Sequence, residues 1–304
     1  MKISEPISVS GFYLQNDGIW QSAYLLTDGI QVGELLHTAC SEFPTSLDAD
    51  LSGVECAEGV EIPLETIAAI SDGPVVSDFR SSDVAMGGQG APLHPFYLHA
   101  LAKTLSDRPI AFLVLEDVIT LVWIDPQVAS PTDPDAITCF ETGPCLGPLR
   151  EIQQTSDSGE VVDGALELFL DDPYFRRVPP KRVERSSFSH LLELVRELQP
   201  ADAQATLTGM AATSVLLALE HLPVPPAKFI VVGEGANNPL FVQLLRAALD
   251  VPVEFLAPFE HGQSIQAQAI AFLAARVARG LPTTAPHTTG VAAAVGGGKL
   301  SDFS

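Results

Sequence analysis

One segment of the chain, from Asp78 to Leu93, carries side chains whose types and spacing suit a small polar ligand. Five of its residues form the predicted substrate-binding set: Arg80, Asp83, Gly87, Gly88 and Gln89. Arg80 offers a planar group of N–H donors that matches a carboxylate. Asp83 and Gln89 could hold hydroxyl or amide groups, and the glycines let the backbone approach a ligand closely. The alternative is a turn after a strand with one surface salt bridge.

A second segment of interest is the glycine-rich loop 233–239, which lies between a predicted strand and a predicted helix. A loop at the start of a helix can hold an anion or a ribose, because backbone N–H groups point out of it. It lacks the GxGxxG spacing of a dinucleotide-binding fingerprint. An ordinary turn between a strand and a helix is the alternative.

The elements that would position these residues predict an α/β fold with a mixed sheet. The clearest unit is strand 228–232, the glycine-rich loop, helix 240–249 and strand 253–256, which implies a parallel strand pair with a right-handed crossover. The runs 110–114 and 118–124 predict a hairpin. Polar, aperiodic residues 41–62 predict a loop. A long helix is predicted over 202–221, with Asp202 as its N-cap.

Composition limits the classes of partner. The chain has 304 residues, 46% of them hydrophobic, and a formal net charge of −22, which argues against nucleic acid and anionic membranes as partners. It contains no apolar run of about 20 residues, and its first residues do not resemble a signal peptide. The four cysteines lack metal-type spacing, so no metal site is predicted and reduced thiols in a cytoplasmic protein are expected. His94 and His99 are assigned to structure or surface.

The segment Asp78–Leu93 resembles the signature of the anhydro-N-acetylmuramic acid kinases. Further stretches fit the family in the expected order: 179–181, 202–208, 233–239, 280–282 and 289–290. The resemblance covers about residues 70–300. It implies a two-lobed fold of the actin, heat-shock ATPase and hexokinase kind, with mixed sheets flanked by helices. The implied lobes are 1–136, which is shortened and carries the sugar motif, and 137–304, which carries the nucleoside-side loop.

The resemblance also implies an activity. The family uses ATP, with Mg²⁺, to phosphorylate 1,6-anhydro-N-acetylmuramic acid at O6 while water opens the anhydro ring, and this reaction serves cell-wall recycling. ATP would bind between the lobes. Glu141 takes the place of the family's catalytic aspartate. Six residues correspond to the nucleotide-binding set: Asp17, Gly18, Gly143, Gly233, Gly235 and Asn237.

Several positions depart from the family pattern. The first phosphate turn keeps only Asp17 and Gly18, and the second carries Glu116 and Asp117, whose negative charges repel phosphate. Glu141 moves its carboxylate by one methylene, and a displacement of about 1 Å can reduce a rate on the order of 100-fold. An acidic residue of the C-terminal helix is replaced by an uncharged glutamine at position 266.

Three functional hypotheses follow. The first is a degenerate member of the family that keeps the fold and sugar binding, with phosphoryl transfer impaired or lost. The second is a working kinase on a related anhydro-sugar, which uses Glu141 as its base and an altered phosphate loop. The third is a non-catalytic sugar sensor or regulator, which would pair with a true kinase or form a homodimer.

Overall fold

The computed structural model describes residues 5–44, 48–70, 73–184, 187–256 and 262–302. The described strands are β1 Ile7–Leu14, β2 Trp20–Thr27, β3 Val32–Ser41, β4 Leu51–Cys56, β5 Pro74–Ser77, β6 Ile110–Leu115, β7 Val118–Ile124, β8 Ile137–Pro144, β9 Phe229–Val232, β10 Val253–Phe255 and β11 Lys299–Asp302. The described α-helices are α1 Leu64–Ile70, α2 Ser81–Ala85, α3 Pro95–Leu105, α4 Leu146–Arg150, α5 Asp163–Leu170, α6 Ser187–Val195, α7 Pro200–Ala218, α8 Pro239–Ala248, α9 Ile265–Ala278 and α10 Pro286–Thr289.

The chain divides into two compact units. Unit 1 comprises residues 1–107, 124–137 and 257–304, and unit 2 comprises residues 108–123 and 138–256. This division differs from the expected contiguous lobes 1–136 and 137–304. The reason is that the C-terminal segment belongs to unit 1, where α9 packs on β1, β2 and β4 and β11 pairs with β5.

Unit 1 is built on a six-stranded mixed sheet in the order β11-β5-β4-β1-β2-β3. The pairs β1–β2, β2–β3 and β11–β5 are antiparallel, whereas β1–β4 and β4–β5 are parallel. Small residues allow α9 to lie close to this sheet. A Cβ atom on Gly11 would stand 1.9 Å from the carbonyl oxygen of Ala267, and one on Gly53 would stand 2.8 Å from that of Ile270.

The loop predicted over 41–62 is wrong in part, because the strand β4 lies inside it. This strand occupies the sheet between β1 and β5. Its sequence, Leu-Ser-Gly-Val-Glu-Cys, lacks a recognisable hydrophobic pattern, because three of its six residues are polar or glycine. Gly53 is required there by the close approach of α9, which is a tertiary requirement.

Unit 2 repeats the same arrangement of strands. Its sheet has the order β10-β9-β6-β7-β8, which corresponds strand for strand to β5-β4-β1-β2-β3 in unit 1. Strands β6 and β9 are parallel, as are β9 and β10. The predicted unit of strand, loop, helix and parallel strand is therefore confirmed. The predicted pairing of the runs 110–114 and 118–124 is also confirmed, since β6 and β7 are neighbours.

The long helix of unit 2 begins earlier than predicted. Helix α7 starts at Pro200 with Gln199 as its N-cap, so the prediction of Asp202 as the N-cap is wrong. Proline is favoured at the first helical position, because its missing N–H would have no partner there. The Asp202 carboxylate instead accepts a hydrogen bond of 2.9 Å from the backbone N–H of Glu160.

Two mixed sheets flanked by helices confirm the predicted α/β class. Within the described ranges, no helix is both long and apolar enough to cross a bilayer. The four cysteines are free thiols.

Candidate functional site

The predicted substrate-binding motif follows β5 in unit 1 and turns around the short helix α2. Asp83, on this helix, is only 1% exposed. One carboxylate oxygen accepts a 2.7 Å hydrogen bond from the N–H of Gly90, and the other accepts 2.6 Å hydrogen bonds from the hydroxyls of Thr284 and Thr289. These contacts give Asp83 a positioning role in the motif. Its direct contact with a ligand stays a prediction.

The glycines of the motif have different surroundings. A Cβ atom on Gly88 would stand 2.1 Å from a carboxylate oxygen of Asp83 and 2.9 Å from Cβ of Val291, so no side chain fits there. Gly87 is exposed, adopts a left-handed φ of +85° and has open space around its Cβ position. Gln89 is exposed, and its backbone N–H donates to the carbonyl of Thr289 over 2.9 Å. Gly87 and Gln89 are therefore the exposed members of the predicted substrate-binding set.

Arg80 lies against the backbone of the same motif. Its guanidinium donates to the carbonyls of Gly90, at 2.9 Å, and Cys56, at 3.2 Å. Its Nε atom stands 3.9 Å from the carboxylate of Glu55, and 23% of the side chain is exposed. Glu55 also accepts a 3.0 Å hydrogen bond from the N–H of Phe79. Sequence reasoning missed Glu55 because it falls in the stretch that was predicted to be a loop.

His94 follows the motif and is buried in unit 1. Neither of its ring nitrogens reaches hydrogen-bond geometry with another residue in the described part of the chain. Burial lowers the pKa of His94 to about 4, although the nearby Gln266 side chain opposes this shift. Gln266 is itself held by its backbone N–H, which donates to the Gln21 side chain over 3.2 Å. His94 is therefore a neutral group at pH 7.

The first pair of the predicted nucleotide-binding set forms a tight turn between β1 and β2 in unit 1. Asp17 accepts a 3.0 Å hydrogen bond from the N–H of Ile19, and Gly18 adopts a φ of +84° while its N–H donates to Gln15. Both residues are exposed. The turn uses the Asp17 carboxylate to close itself, which is an ordinary role of aspartate in a turn.

In unit 2, the turn between β6 and β7 is held in part by an arginine. The Arg150 guanidinium pairs with the carboxylates of Asp117 and Glu234. The start of α4 also holds this turn, because the backbone N–H groups of Cys145 and Gly147 donate to the carbonyl of Asp117. Among the described residues, the carboxylates of Glu116, Asp117 and Glu234 lie near the guanidinium of Arg150 in this part of unit 2. Carboxylates at such a turn oppose the approach of a second negative charge.

The glycine-rich loop lies against the same turn. Gly233 adopts a φ of +90°, and a Cβ atom there would stand 2.6 Å from the carbonyl oxygen of Leu115. A Cβ atom on Gly235 would stand 2.7 Å from the Leu115 side chain. Both glycines are thus required by packing against β6. Asn237 is exposed, and the neighbouring Asn238 caps α8 by accepting from the N–H of Phe241 at 3.2 Å.

Glu141, the predicted catalytic residue, is 5% exposed near the end of β8. One carboxylate oxygen accepts a 2.6 Å hydrogen bond from the N–H of Val183, and the other accepts from Nε of Arg182 at 3.3 Å. Tyr174 donates its hydroxyl to the Glu141 carbonyl over 2.5 Å. Near it, a Cβ atom on Gly143 would stand 2.6 Å from the Ser214 side chain, so packing against α7 requires this glycine.

No metal ligand set emerges from the described ranges, where His, Cys, Asp and Glu side chains form no group of three or more that could hold an ion. The structure thus brings Arg80, Asp83 and the motif glycines together in unit 1. In unit 2 it brings Gly233 and Gly235 to the turn held by Arg150.

Comparison with known proteins gives a family match. A model of the anhydro-N-acetylmuramic acid kinase family matches residues 62–301. The anhydro-N-acetylmuramic acid kinase of Ruegeria sp. (strain TM1040) is 47% identical over 245 residues, which is 75% of this chain and 64% of that protein. The kinase of the same name from Roseobacter denitrificans is 42% identical over 252 residues, covering 77% of this chain and 66% of that protein. The chain therefore matches about two thirds of the length of such relatives.

Among solved structures, component A of (R)-2-hydroxyglutaryl-CoA dehydratase from Acidaminococcus fermentans is similar with a TM-score of 0.43 and 15% identity. The similarity covers 89% of this chain and 98% of that one. A likeness of this size carries no conclusion about activity.

Proposed function

Because the chain belongs to the anhydro-N-acetylmuramic acid kinase family, we propose that it binds the family's sugar but has impaired or lost phosphoryl transfer. The ligand under this proposal is 1,6-anhydro-N-acetylmuramic acid, and the context is peptidoglycan recycling. Mg²⁺ and ATP are named here only as the cofactors that the family uses. The proposal also places the protein in the cytoplasm.

The observation that carries the proposal is the pairing of Arg150 with Asp117 and Glu234. Phosphoryl transfer depends on groups that neutralise the charge of phosphate oxygens. Arg150 is the basic residue at this turn, and its guanidinium is already engaged by two carboxylates. A triphosphate brought to this turn would meet excess negative charge, and it would have to displace an existing ion pair.

The surroundings of Glu141 support the same conclusion. A general base must accept a proton, but this carboxylate accepts from the Val183 N–H and is paired with the Arg182 guanidinium. Each contact uses one lone pair of the carboxylate and restrains its position. Glu141 is therefore suited to hold the segment that contains Val183 in place, and poorly suited to activate water.

Sugar binding is supported by the construction of the motif in unit 1. Asp83 fixes the backbone of the motif, and this leaves Gly87 and Gln89 on the outside. Arg80, which donates to the carbonyl of Gly90 in the same motif, keeps 23% of its side chain exposed. A guanidinium, an amide and a bare glycine backbone match the carboxylate, acetamido and hydroxyl groups of the proposed sugar.

Calorimetry with magnesium-ATP and, separately, with 1,6-anhydro-N-acetylmuramic acid tests the proposal, together with an assay of ADP release. We expect heat from the sugar alone and no turnover. Gln89→Ala should weaken sugar binding about fivefold, because a hydrogen bond to the ligand is worth on the order of 1 kcal/mol. Met86→Ala, a change at an exposed neighbour in the same motif, is the matched control. Turnover at an ordinary rate would refute the proposal.

A second candidate is a working kinase, favoured by the buried carboxylate that Glu141 keeps near the end of β8. Under that hypothesis the unmodified protein turns over and Glu141→Gln abolishes turnover. Under the first proposal the unmodified protein shows no turnover, so the substitution changes nothing. The non-catalytic role as a regulator or homodimer predicts a dimer by size-exclusion chromatography with light scattering. A monomer that binds no sugar would exclude that role.

A further inference from the structure

Unit 2 contains a cavity of about 210 Å³ that none of the sequence motifs indicates. Its apolar lining is formed by Pro144, Phe169, Phe175, Val183 and Leu191. The rings of Phe169 and Phe175 meet edge to face, with 4.8 Å between their centroids. An aromatic lining of this kind favours a flat apolar group, because ring pairs add to the free energy gained from burial.

Two oppositely charged side chains stand at the same cavity. Asp172 uses one carboxylate oxygen to accept a 2.8 Å hydrogen bond from the N–H of Tyr174, which fixes its position. The Arg177 guanidinium lies 5.8 Å from the centroid of the Tyr174 ring. Within the described ranges, neither Asp172 nor Arg177 forms an ion pair. Among the described residues, Tyr174, Glu184, Ser187 and His190 also line the cavity.

Arg177 differs from Arg176 and Arg246, which also form no ion pair with a described carboxylate, because it lines this cavity. With 38 acidic and 16 basic residues, carboxylates are abundant, and the structure pairs Arg80, Arg150 and Arg182 with them. Arg177 instead stands exposed over an aromatic ring beside a cavity. A guanidinium in this position has its N–H donors available for a carboxylate on a ligand.

We propose that this cavity binds a small aromatic zwitterion of the α-amino acid class. The ring of the ligand occupies the space beside Phe169, Phe175 and Leu191. Its carboxylate pairs with Arg177, and its ammonium group pairs with the carboxylate oxygen of Asp172 that is not used in the turn. This arrangement satisfies both charges and buries the ring, and it does not depend on sugar binding by unit 1.

The cavity is also connected to Glu141 through two of its lining residues. Tyr174 donates its hydroxyl to the Glu141 carbonyl, and Val183 donates its N–H to the Glu141 carboxylate. Tyr174 and Val183 both line the cavity, so a ligand there lies against two of the residues that hold Glu141. We expect occupancy to protect the amide of Val183 from hydrogen exchange.

The test is a titration of the purified chain with L-phenylalanine, 3-phenylpropanoate and phenethylamine, followed by calorimetry and by NMR. L-Phenylalanine should bind most tightly, and each probe that lacks one charge should bind about tenfold more weakly. Arg177→Gln should reduce the affinity for L-phenylalanine to that for phenethylamine. Asp172→Asn, which can still cap the turn through its amide oxygen, should reduce it to that for 3-phenylpropanoate.

Arg176→Gln is the matched control, because Arg176 is exposed and does not line the cavity. It should leave all three affinities unchanged. The proposal is overturned if L-phenylalanine fails to bind, if it binds no better than the singly charged probes, or if Arg176→Gln weakens it as much as Arg177→Gln does. If L-phenylalanine does not bind but the sugar does, only the cavity proposal is refuted. If L-phenylalanine binds but the sugar does not, only the proposed function is refuted.

Discussion

The motif loop of unit 1 and the glycine-rich loop of unit 2 both follow strands and both depend on carboxylates, but the carboxylates have different partners. Asp83 is buried and accepts hydrogen bonds from two threonine hydroxyls and one backbone N–H. Asp117 and Glu234 both pair with the guanidinium of Arg150. The exposed fraction is 35% for the Arg150 side chain and 46% for that of Glu234. The first arrangement is a buried network of neutral donors, and the second is an ion-pair cluster near solvent.

This difference indicates which loop is structurally fixed. Hydrogen bonds to a buried charge are strong, and leaving their donors without a partner is costly. Ion pairs that remain in contact with solvent contribute little, because water and salt screen them. The motif of unit 1 should therefore be rigid for structural reasons, whereas the turn held by Arg150 should tolerate substitution.

The largest expected effect is at Asp83. Asp83→Ala removes the shared acceptor and leaves three buried donors without it, so we expect the free energy of unfolding to fall by about 3–5 kcal/mol. Urea denaturation measures this. Asp135→Ala, at an exposed position in the same unit, should change it by less than about 0.5 kcal/mol. Equal effects of the two substitutions would show that the network does not hold the loop.

The next effect separates packing from backbone strain within the motif. Gly88→Ala places a methyl group against the Asp83 carboxylate and should cost about 2–3 kcal/mol. Gly87→Ala meets open space but keeps a left-handed φ, so about 1 kcal/mol is expected. Thermal denaturation of both variants gives the order. If Gly87→Ala were the more harmful change, strain and not the Asp83 contact would dominate.

Acid should weaken unit 1 through His94. Burial holds the pKa of this folded-state imidazole at about 4, below its ordinary value of 6.5, so folding opposes protonation. The stabilisation is present above pH 6.5 and is lost as the pH falls from 6.5 towards 4, by about 1 kcal/mol at pH 5.5. His94→Gln should reduce this slope of the unfolding free energy against pH. An unchanged slope would assign the acid sensitivity to other groups.

The smallest expected effect is at Arg150. Arg150→Gln removes both ion pairs, and we expect a loss of about 0.5–1 kcal/mol that shrinks as salt rises. Arg196→Gln, which breaks exposed pairs on α6 and the turn that follows it, is the control and should cost less. Denaturation at low and high salt compares them. A loss as large as that of Asp83→Ala would mean that the two loops are held equally firmly.

The sequence allowed the prediction of features that depend on neighbouring residues. The alternation of apolar and turn residues predicted the hairpin of β6 and β7 and the parallel pair β9 and β10, which the structure confirms. The dense motif at Asp78–Leu93 identified the family that the comparisons show. The strand β4 was missed because its polar residues break the hydrophobic pattern and its Gly53 is explained only by the helix that packs on it.

The side-chain partners were decided by tertiary structure alone. Asp83 is held by threonines about 200 positions further along the chain, and Arg150 joins carboxylates from two other segments. A residue's type fixes which bonds it can make, and so the sequence determined that Asp83 and Glu141 can accept hydrogen bonds and that Arg150 can donate them. Folding brings distant segments within 3 Å, and only that placement decides which partner each charge receives.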